Sequence, residues 1–368
     1  MKIALSSPYD FSRPSGVNNH IIGLAQELSK SQHQVKIIAP SSKNVKGDNF
    51  LSTGKPFPVP SGGSIAYISI NPFDITKTKK LIEEQRFEIL HLHEPFAGII
   101  QPSIIKNSKT INIATFHSFK GTSIYKFGLA KFFKPYFAKI HSLIAISKPA
   151  EQFISEYFPG KYQIIPNGIH IDQYLSNTYD VQKFKDSKTN ILFVGRSDKR
   201  KGLKYIISAF GILKWKYPDL RLLIVGPIKN KHEHNEIISA QNLQDLHFIG
   251  EVSEKDKIRY LNTADIFCSP ATGNESFGYV LLEAMSAKKP IVASNIDGYS
   301  SLIKDNYNGL LVEPKNPESI ANALEQLLNN SKLKTKISNN AFKTANEYSW
   351  QNIAKNILNI YKEAQSKH

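Results

Sequence analysis

Lys2-Ile3-Ala4-Leu5, then the periodic stretch Val17–Gln32, then Val35-Lys36-Ile37-Ile38-Ala39, decides the fold of this chain. The first and third runs are short and apolar, as strands covered on both faces are. Between them Val17, Ile21, Leu24, Ala25 and Leu28 recur at helical spacing and mark one face. Strand, helix and strand in that order make a βαβ unit. Working outward, similar runs follow at Glu88–His93, Ile111–His117, Ser142–Ile146 and Tyr162–Ile165. A second series opens after the polar stretch Ser176–Thr189, at Asn190–Val194, Leu220–Val225, Leu246–Ile249, Asp265–Cys268, Pro290–Ala293 and Leu310–Val312. The expected architecture is α/β, with two doubly wound Rossmann-like domains at 1–168 and 169–349 facing across a cleft. Pro166-Asn167-Gly168 reads as the hinge between them. The final helix, 350–368, lies beyond the last strand run and can pack on either domain, including back on the first. Ligands of such sheets sit beyond the carboxyl ends of the strands, so the cleft is the expected site.

Composition narrows the function. The 368 residues hold 47 Lys plus Arg against 31 Asp plus Glu, a net charge of +16. Residues 1–150 carry 19 basic and 8 acidic side chains. From Glu94 to Glu151 no acid intervenes, while lysines stand at 106, 109, 120, 126, 131, 134, 139 and 148. Such a field favours an anionic partner: nucleic acid, anionic lipid or a phosphorylated substrate. A lysine-rich bias with solvated side chains fits the composition equally. Cys268 is the only cysteine, which excludes an internal disulfide framework and fits a reducing compartment. No apolar run reaches the ~18 residues of a membrane span, and the N-terminus is too short in apolar residues for a secretory signal. The expected location is cytoplasmic. Oligomeric state leaves no mark in the sequence.

Four stretches carry candidate chemistry. Pro14-Ser15-Gly16-Val17 joins the first strand to its helix, and a glycine there lets backbone approach a ligand beside a helix N-terminus. Alone it is equally a tight turn. Gly195-Arg196-Ser197-Asp198-Lys199-Arg200-Lys201-Gly202 follows the first strand of the second domain, and Arg196 and Lys201 can converge on a diphosphate. In isolation it is an exposed basic loop. Asn274-Glu275-Ser276-Phe277-Gly278-Tyr279-Val280-Leu281-Leu282-Glu283 places two carboxylates eight residues apart. A helix beginning near Ser276 would set them on nearly one face, two turns apart, with a phosphate-binding helix start between. Their apolar neighbours argue against a plain solvated face. Thr115-Phe116-His117-Ser118 closes a strand with a histidine, either a site residue or a cap. His91 and His93 alternate on another strand without a third ligand at useful spacing, so no metal site is expected. There is no Walker loop and no Gly-x-Ser-x-Gly elbow.

Together these residues resemble the retaining glycosyltransferases of family 4, of two-domain GT-B architecture, over nearly the whole chain. The most specific element is Glu275 and Glu283 within Glu-Ser-Phe-Gly, supported in order by Gly16, His117, Arg196 and Lys201. Ser7-Pro8-Tyr9, His91-Leu92-His93-Glu94-Pro95 and the stretch 275–285 look most like the bacterial phosphatidylinositol mannosyltransferase branch of that family. Two positions depart from the pattern on its acceptor side. Ser15 stands where a second glycine is frequent, and Phe96 where that branch has a polar residue.

The resemblance implies roles. Arg196 and Lys201 clamp the donor diphosphate, Glu283 holds the ribose, and Glu275 holds sugar hydroxyls. Phe277 and Gly278 offer backbone amides. His117 contacts the transferred sugar, and Gly16 lets the acceptor loop approach the donor phosphates. Tyr9 belongs to the acceptor side; the lysines 77, 79 and 80, read from their clustering and charge, are expected to face the membrane. The donor is GDP-mannose or another nucleotide-sugar, the acceptor a lipid, and the place an anionic membrane surface at the inner face of the plasma membrane. No cofactor is required, and Mg2+ is allowed without a catalytic part. Ser123–Lys139, which interleaves aromatics and lysines, is read as a further membrane-facing segment that Pro135 interrupts. A UDP-sugar donor with a diacylglycerol, polyprenyl or saccharide acceptor is the near alternative. From other classes come a non-catalytic sugar-nucleotide-binding subunit and a basic nucleic-acid-binding protein. The paired glutamates would repel phosphate backbones, so nucleic acid is not the expected partner.

Overall fold

The computed structural model describes residues 1–61, 64–118, 130–175, 180–228 and 231–367. The chain divides into two compact units, Met1–Gly168 with Trp350–His368, and Ile169–Ser349.

Among the described residues, the first unit holds a parallel sheet in the order β3-β2-β1-β6-β7-β8-β9. These strands are β1 (Lys2–Ser6), β2 (Gln34–Ala39), β3 (Phe50–Ser52), β6 (Ile89–His93), β7 (Ile111–Phe116), β8 (Ser142–Ala145) and β9 (Tyr162–Ile164). A separate antiparallel hairpin, β4 (Phe57–Ser61) with β5 (Ser64–Ile68), pairs Phe57 with Ile68. The hairpin and the short β3 are absent from the periodicity reading. Pro58 and Pro60 interrupt the pattern there, since proline is confined to strand edges.

The sheet is buried on both sides. One face packs Ile21, Leu24 and Leu28 of the helix Gly16–Lys30 against Trp350, Ile353, Ile357, Ile360 and Tyr361 of the C-terminal helix. That helix therefore returns to the first sheet. Gly168 and Gly23 make room for it, because a Cβ at either would lie within 2.5 Å of the Trp350 indole. The other face is centred on Phe96, which packs with Phe116, Phe133, Phe137 and Phe158. Phe96 is 1% exposed. Its departure from the family pattern is thus a core feature and does not face an acceptor.

The second unit repeats the design as β12-β11-β10-β13-β14-β15, again all parallel. Its strands are β10 (Thr189–Val194), β11 (Leu220–Val225), β12 (Leu246–Gly250), β13 (Ile266–Ser269), β14 (Ile291–Ser294) and β15 (Leu310–Val312). Helices Leu203–Lys214 and Pro317–Asn329 cover one side through Ile206, Phe210, Ile320 and Leu324. In both sheets the strand order reverses beside the first strand, between β1 and β6 and between β10 and β13. Such switch points are where open α/β sheets bind ligands.

The basic segment departs from expectation. Residues 119–129, including 123–129 of the Ser123–Lys139 segment, lie outside the described residues. The helix Ala130–Phe137 contains Pro135 without ending there. Phe133 stacks on Phe96 at 5.0 Å, and Phe137 packs tilted against Phe158 at 5.2 Å. Those two aromatics are core contacts and not a membrane-facing stripe. Lys131, Phe132 and Lys134 remain exposed.

Candidate active site

In the second unit the loop after β10 is pinned to the end of β13. The backbone N–H of Thr272 donates to Arg200 O at 2.7 Å. Gly202 caps the following helix at φ 73°, and a Cβ there would sit 1.9 Å from Pro270 O. Only glycine fits that approach. The pinning carries Arg200 and Lys201 to Glu275, whose Oε1 accepts from Arg200 at 2.5 Å and from Lys201 Nζ at 2.7 Å. Arg196 does not share the Glu275 carboxylate in the pairs found. Its Nε pairs with Asp198 at 3.2 Å, and its side chain is half exposed. Asp198 also faces Arg200 at 3.6 Å, so the loop forms a relay of alternating charge. Sequence reasoning missed Arg200, whose only signal was its place between two lysines.

The helix after β13 begins at Tyr279, not near Ser276. Asn274 at φ 58° and Gly278 at φ 81° are left-handed, which a right-handed helix does not admit. Glu275 therefore stands on the preceding loop, and the two glutamates do not share a helical face. Gly278 is required twice over, since a Cβ would also crowd the Tyr299 ring at 2.8 Å. Phe277 is buried just before this helix start.

Glu283 lies on the helix and is 3% exposed. Lys257 Nζ approaches its Oε1 at 2.7 Å, and Tyr174 O–H donates to the same oxygen at 3.3 Å. Burial pushes the Glu283 carboxyl above its ordinary range, against the pull of Lys257. Burial opposes the Lys257 ammonium, but Glu283 and Glu254 outweigh it and hold that group above its usual value. Lys257 and Tyr174 are distant in sequence, which is why no motif announced them.

In the first unit Gly16 opens its helix, and Ser15 is the N-cap that accepts from Asn18 N–H at 3.1 Å. That bond gives Ser15 its own reason to replace a glycine. A Cβ at Gly16 would meet nothing within 4 Å, so the fold itself does not demand glycine there. His117 follows β7. Its backbone N–H and that of Ser118 both donate to Glu94 Oε1, at 2.6 and 2.7 Å. Glu94 is buried at φ 50°, and burial raises its carboxyl against those amides. Tyr9 pairs its backbone with Ile68 and is partly buried near Glu94; burial first, then that carboxylate, raises its phenol.

The His117 ring joins three others. His93 Nδ1 lies 3.0 Å from His117 Nε2, and His20 packs edge-on to His117 at 5.0 Å. His91 bonds Tyr361 O–H and Thr115 O–H, each at 2.6 Å. Burial depresses all four rings, His20 to about 4 and His91 to about 3. No grouping of three or more His, Cys, Asp or Glu suited to a metal occurs among the described residues.

Lys77, Lys79 and Lys80 are exposed on the helix Phe73–Gln85. Lys79 and Lys80 face Glu83 and Glu84 at 3.9 and 3.8 Å, and Asp74 lies on the same helix. The cluster is less positive than its lysines alone suggest. No helix among the described residues is long and apolar enough to cross a membrane.

Residues 14–173 match the model described as Glycosyltransferase Family 4, and residues 177–344 that described as Glycosyl transferases group 1. The phosphatidyl-myo-inositol mannosyltransferase of Mycolicibacterium smegmatis is 31% identical over 363 residues, covering 98% of this chain and 93% of that protein.

The chain belongs to glycosyltransferase family 4.

This glycosyltransferase is also 31% identical to the enzyme of the same description from Mycobacterium tuberculosis, over 98% of this chain and 96% of the relative. Its fold matches a glycosyltransferase crystal structure from Rickettsia africae at TM-score 0.78 and 23% identity, over 100% and 99% of the two chains. It matches the Anabaena protein HepE in complex with UDP at TM-score 0.80 and 16% identity, over 99% and 100%. The architecture is GT-B, and the glycosyltransferase is a nucleotide-sugar-dependent hexosyltransferase.

Proposed function

We propose that this glycosyltransferase moves mannose from GDP-mannose to phosphatidyl-myo-inositol at an anionic membrane surface, with retention at the anomeric carbon. The observation that carries the donor half is Glu275 held by Arg200 and Lys201 at the start of the helix that bears Glu283. Two cations gathered on one carboxylate are placed to turn to a diphosphate when one arrives. Glu275 then becomes available to sugar hydroxyls, while Glu283 takes the ribose. Breaking the anomeric C–O bond leaves negative charge on the departing diphosphate. Lys201, with Arg196 and Arg200 on the same loop and the amides of Phe277 and Gly278, would stabilise that charge electrostatically. The same oxygen can take the acceptor proton on the same face, so no protein nucleophile is needed. Mg2+ can accompany the diphosphate without entering these steps. In this reading His117 contacts the transferred sugar, and Gly16 and Tyr9 line the acceptor side.

The acceptor half rests on the relatives' shared description and on the basic first unit. The test is release of GDP or UDP from a panel of GDP- and UDP-hexoses, with phosphatidylinositol vesicles, diacylglycerol vesicles or soluble saccharides as acceptors. GDP release that needs both GDP-mannose and phosphatidylinositol is expected. Turnover with a UDP-sugar and another acceptor would replace this specificity while keeping the chemistry.

A further inference from the structure

Of the four clustered histidines, only His117 enters the proposed reaction. Its nearest ring partner decides which of its nitrogens carries the proton. Burial keeps both rings uncharged near neutrality. A neutral imidazole has one N–H and one bare nitrogen. Between His93 Nδ1 and His117 Nε2, 3.0 Å apart, one nitrogen must donate and the other accept.

The far side of His93 selects the direction. His93 Nε2 is fully buried and has no partner. A proton there would make it an orphaned buried donor, which proteins rarely tolerate. With the proton on Nδ1, only a bare nitrogen is left unfilled. His20 is arranged alike: its Nδ1 lies 2.8 Å from Asn167 Oδ1, which can only accept, and its Nε2 is buried without a partner. Neither neighbour, then, offers a second donor to His117 Nε2.

We infer that His93 is a positioning residue that fixes His117 with its proton on Nδ1, so that His117 presents a hydrogen-bond donor to a ligand oxygen. The use of that donor rests on the reading of His117 as the contact to the transferred sugar. A donor suits a sugar hydroxyl acting as acceptor. It also removes His117 from service as the base for the incoming nucleophile, because the bare nitrogen faces His93.

Long-range 1H–15N correlation on histidine-labelled, ligand-free full-length protein at neutral pH reads the tautomer directly, with the His117 signals assigned by their loss in His117→Gln. The expected result is a protonated Nδ1 and a bare Nε2. In His93→Leu the donor to Nε2 is gone and leucine offers no acceptor in its place, so the His117 ring loses the partner that orients it while its proton stays on Nδ1. Transfer should fall about tenfold, the weight of one hydrogen bond. In His93→Asn the side-chain amide N–H stands where Nδ1–H stood, so both the tautomer and activity should stay close to wild type. A wild-type His117 protonated on Nε2 overturns the inference, even if His93→Leu does not fold. Undiminished transfer by a folded His93→Leu overturns the positioning role as well. Full transfer by His117→Ala sinks the sugar contact instead and leaves the tautomer result standing.

Discussion

The Glu283 carboxylate sits 2.7 Å from the Lys257 ammonium in a site where the glutamate is 3% exposed. Removing one member of a buried pair strands the other charge, at a cost of about 3–5 kcal/mol. Lys257→Met should therefore lower the urea midpoint sharply. Adding Glu283→Gln to that variant should recover most of the loss. A single substitution that costs nothing would show that the pair is solvated.

Arg200 and Lys201 are both paired with Glu275, and in the proposed donor site a phosphate would compete with that carboxylate for them. Lys201→Ala should weaken nucleoside diphosphate binding by roughly 1.5–3 kcal/mol, as for a hydrogen bond to a charged group. Arg200→Ala should do the same, since Arg200 shares Glu275 with Lys201. Glu275→Gln should preserve or tighten nucleoside diphosphate binding and impair transfer. Calorimetry with GDP beside a transfer assay separates these effects. Wild-type affinity in Lys201→Ala contradicts the clamp.

The histidine cluster ties stability to pH. The folded His20 and His91 titrate at about 4 and about 3, below the unfolded value of about 6.5. Their contribution is complete above pH 6.5 and is lost as pH falls through 4 toward 3, because the unfolded chain binds protons first. His20 alone accounts for roughly 3 kcal/mol across that window. Denaturation midpoints from pH 7 to 4.5 should fall steadily. A flat profile would show that these rings take up protons in the fold as readily as in the unfolded chain.

The C-terminal helix completes the first unit's core. Each buried Ile or Leu side chain is worth about 1.5–3 kcal/mol, and Ile353, Ile357 and Ile360 all lie in that core. Residues 1–168 expressed alone should be insoluble or poorly ordered, whereas 169–349 should fold. In the full chain Tyr361→Phe should cost about 1–3 kcal/mol, since it leaves His91 Nδ1 buried without its partner. A cooperative melt from 1–168 alone would contradict this.

The membrane association proposed above rests on charge. Binding to anionic vesicles should weaken with salt and in Lys77/Lys79/Lys80→Ser, each lysine contributing at most ~1 kcal/mol near the surface. Glu83 and Glu84 reduce that for Lys79 and Lys80. Lys131/Lys134→Ser tests the exposed face of the helix that carries Phe132. Equal co-sedimentation with neutral vesicles would remove both patches from consideration.

Alternation of apolar runs and helical stripes was sufficient to place the strands of both parallel sheets except β3, because a strand buried on both faces admits few polar residues. The Glu-Ser-Phe-Gly stretch likewise marked out a candidate site, because its residues are contiguous and pattern-specific. Tertiary structure decided the rest. Arg200 reaches Glu275 only because Gly202 lets the loop close on Pro270. Lys257 and Tyr174 meet Glu283 from distant segments, and Trp350 and Tyr361 return to cover the histidines of the first sheet. The helix start at Tyr279 was set by the left-handed backbone at Gly278, which shows in coordinates and not in periodicity. Sequence carries what neighbours along the chain impose on one another; which charges face each other, and which nitrogen of a buried ring is free, depend on contacts across the fold.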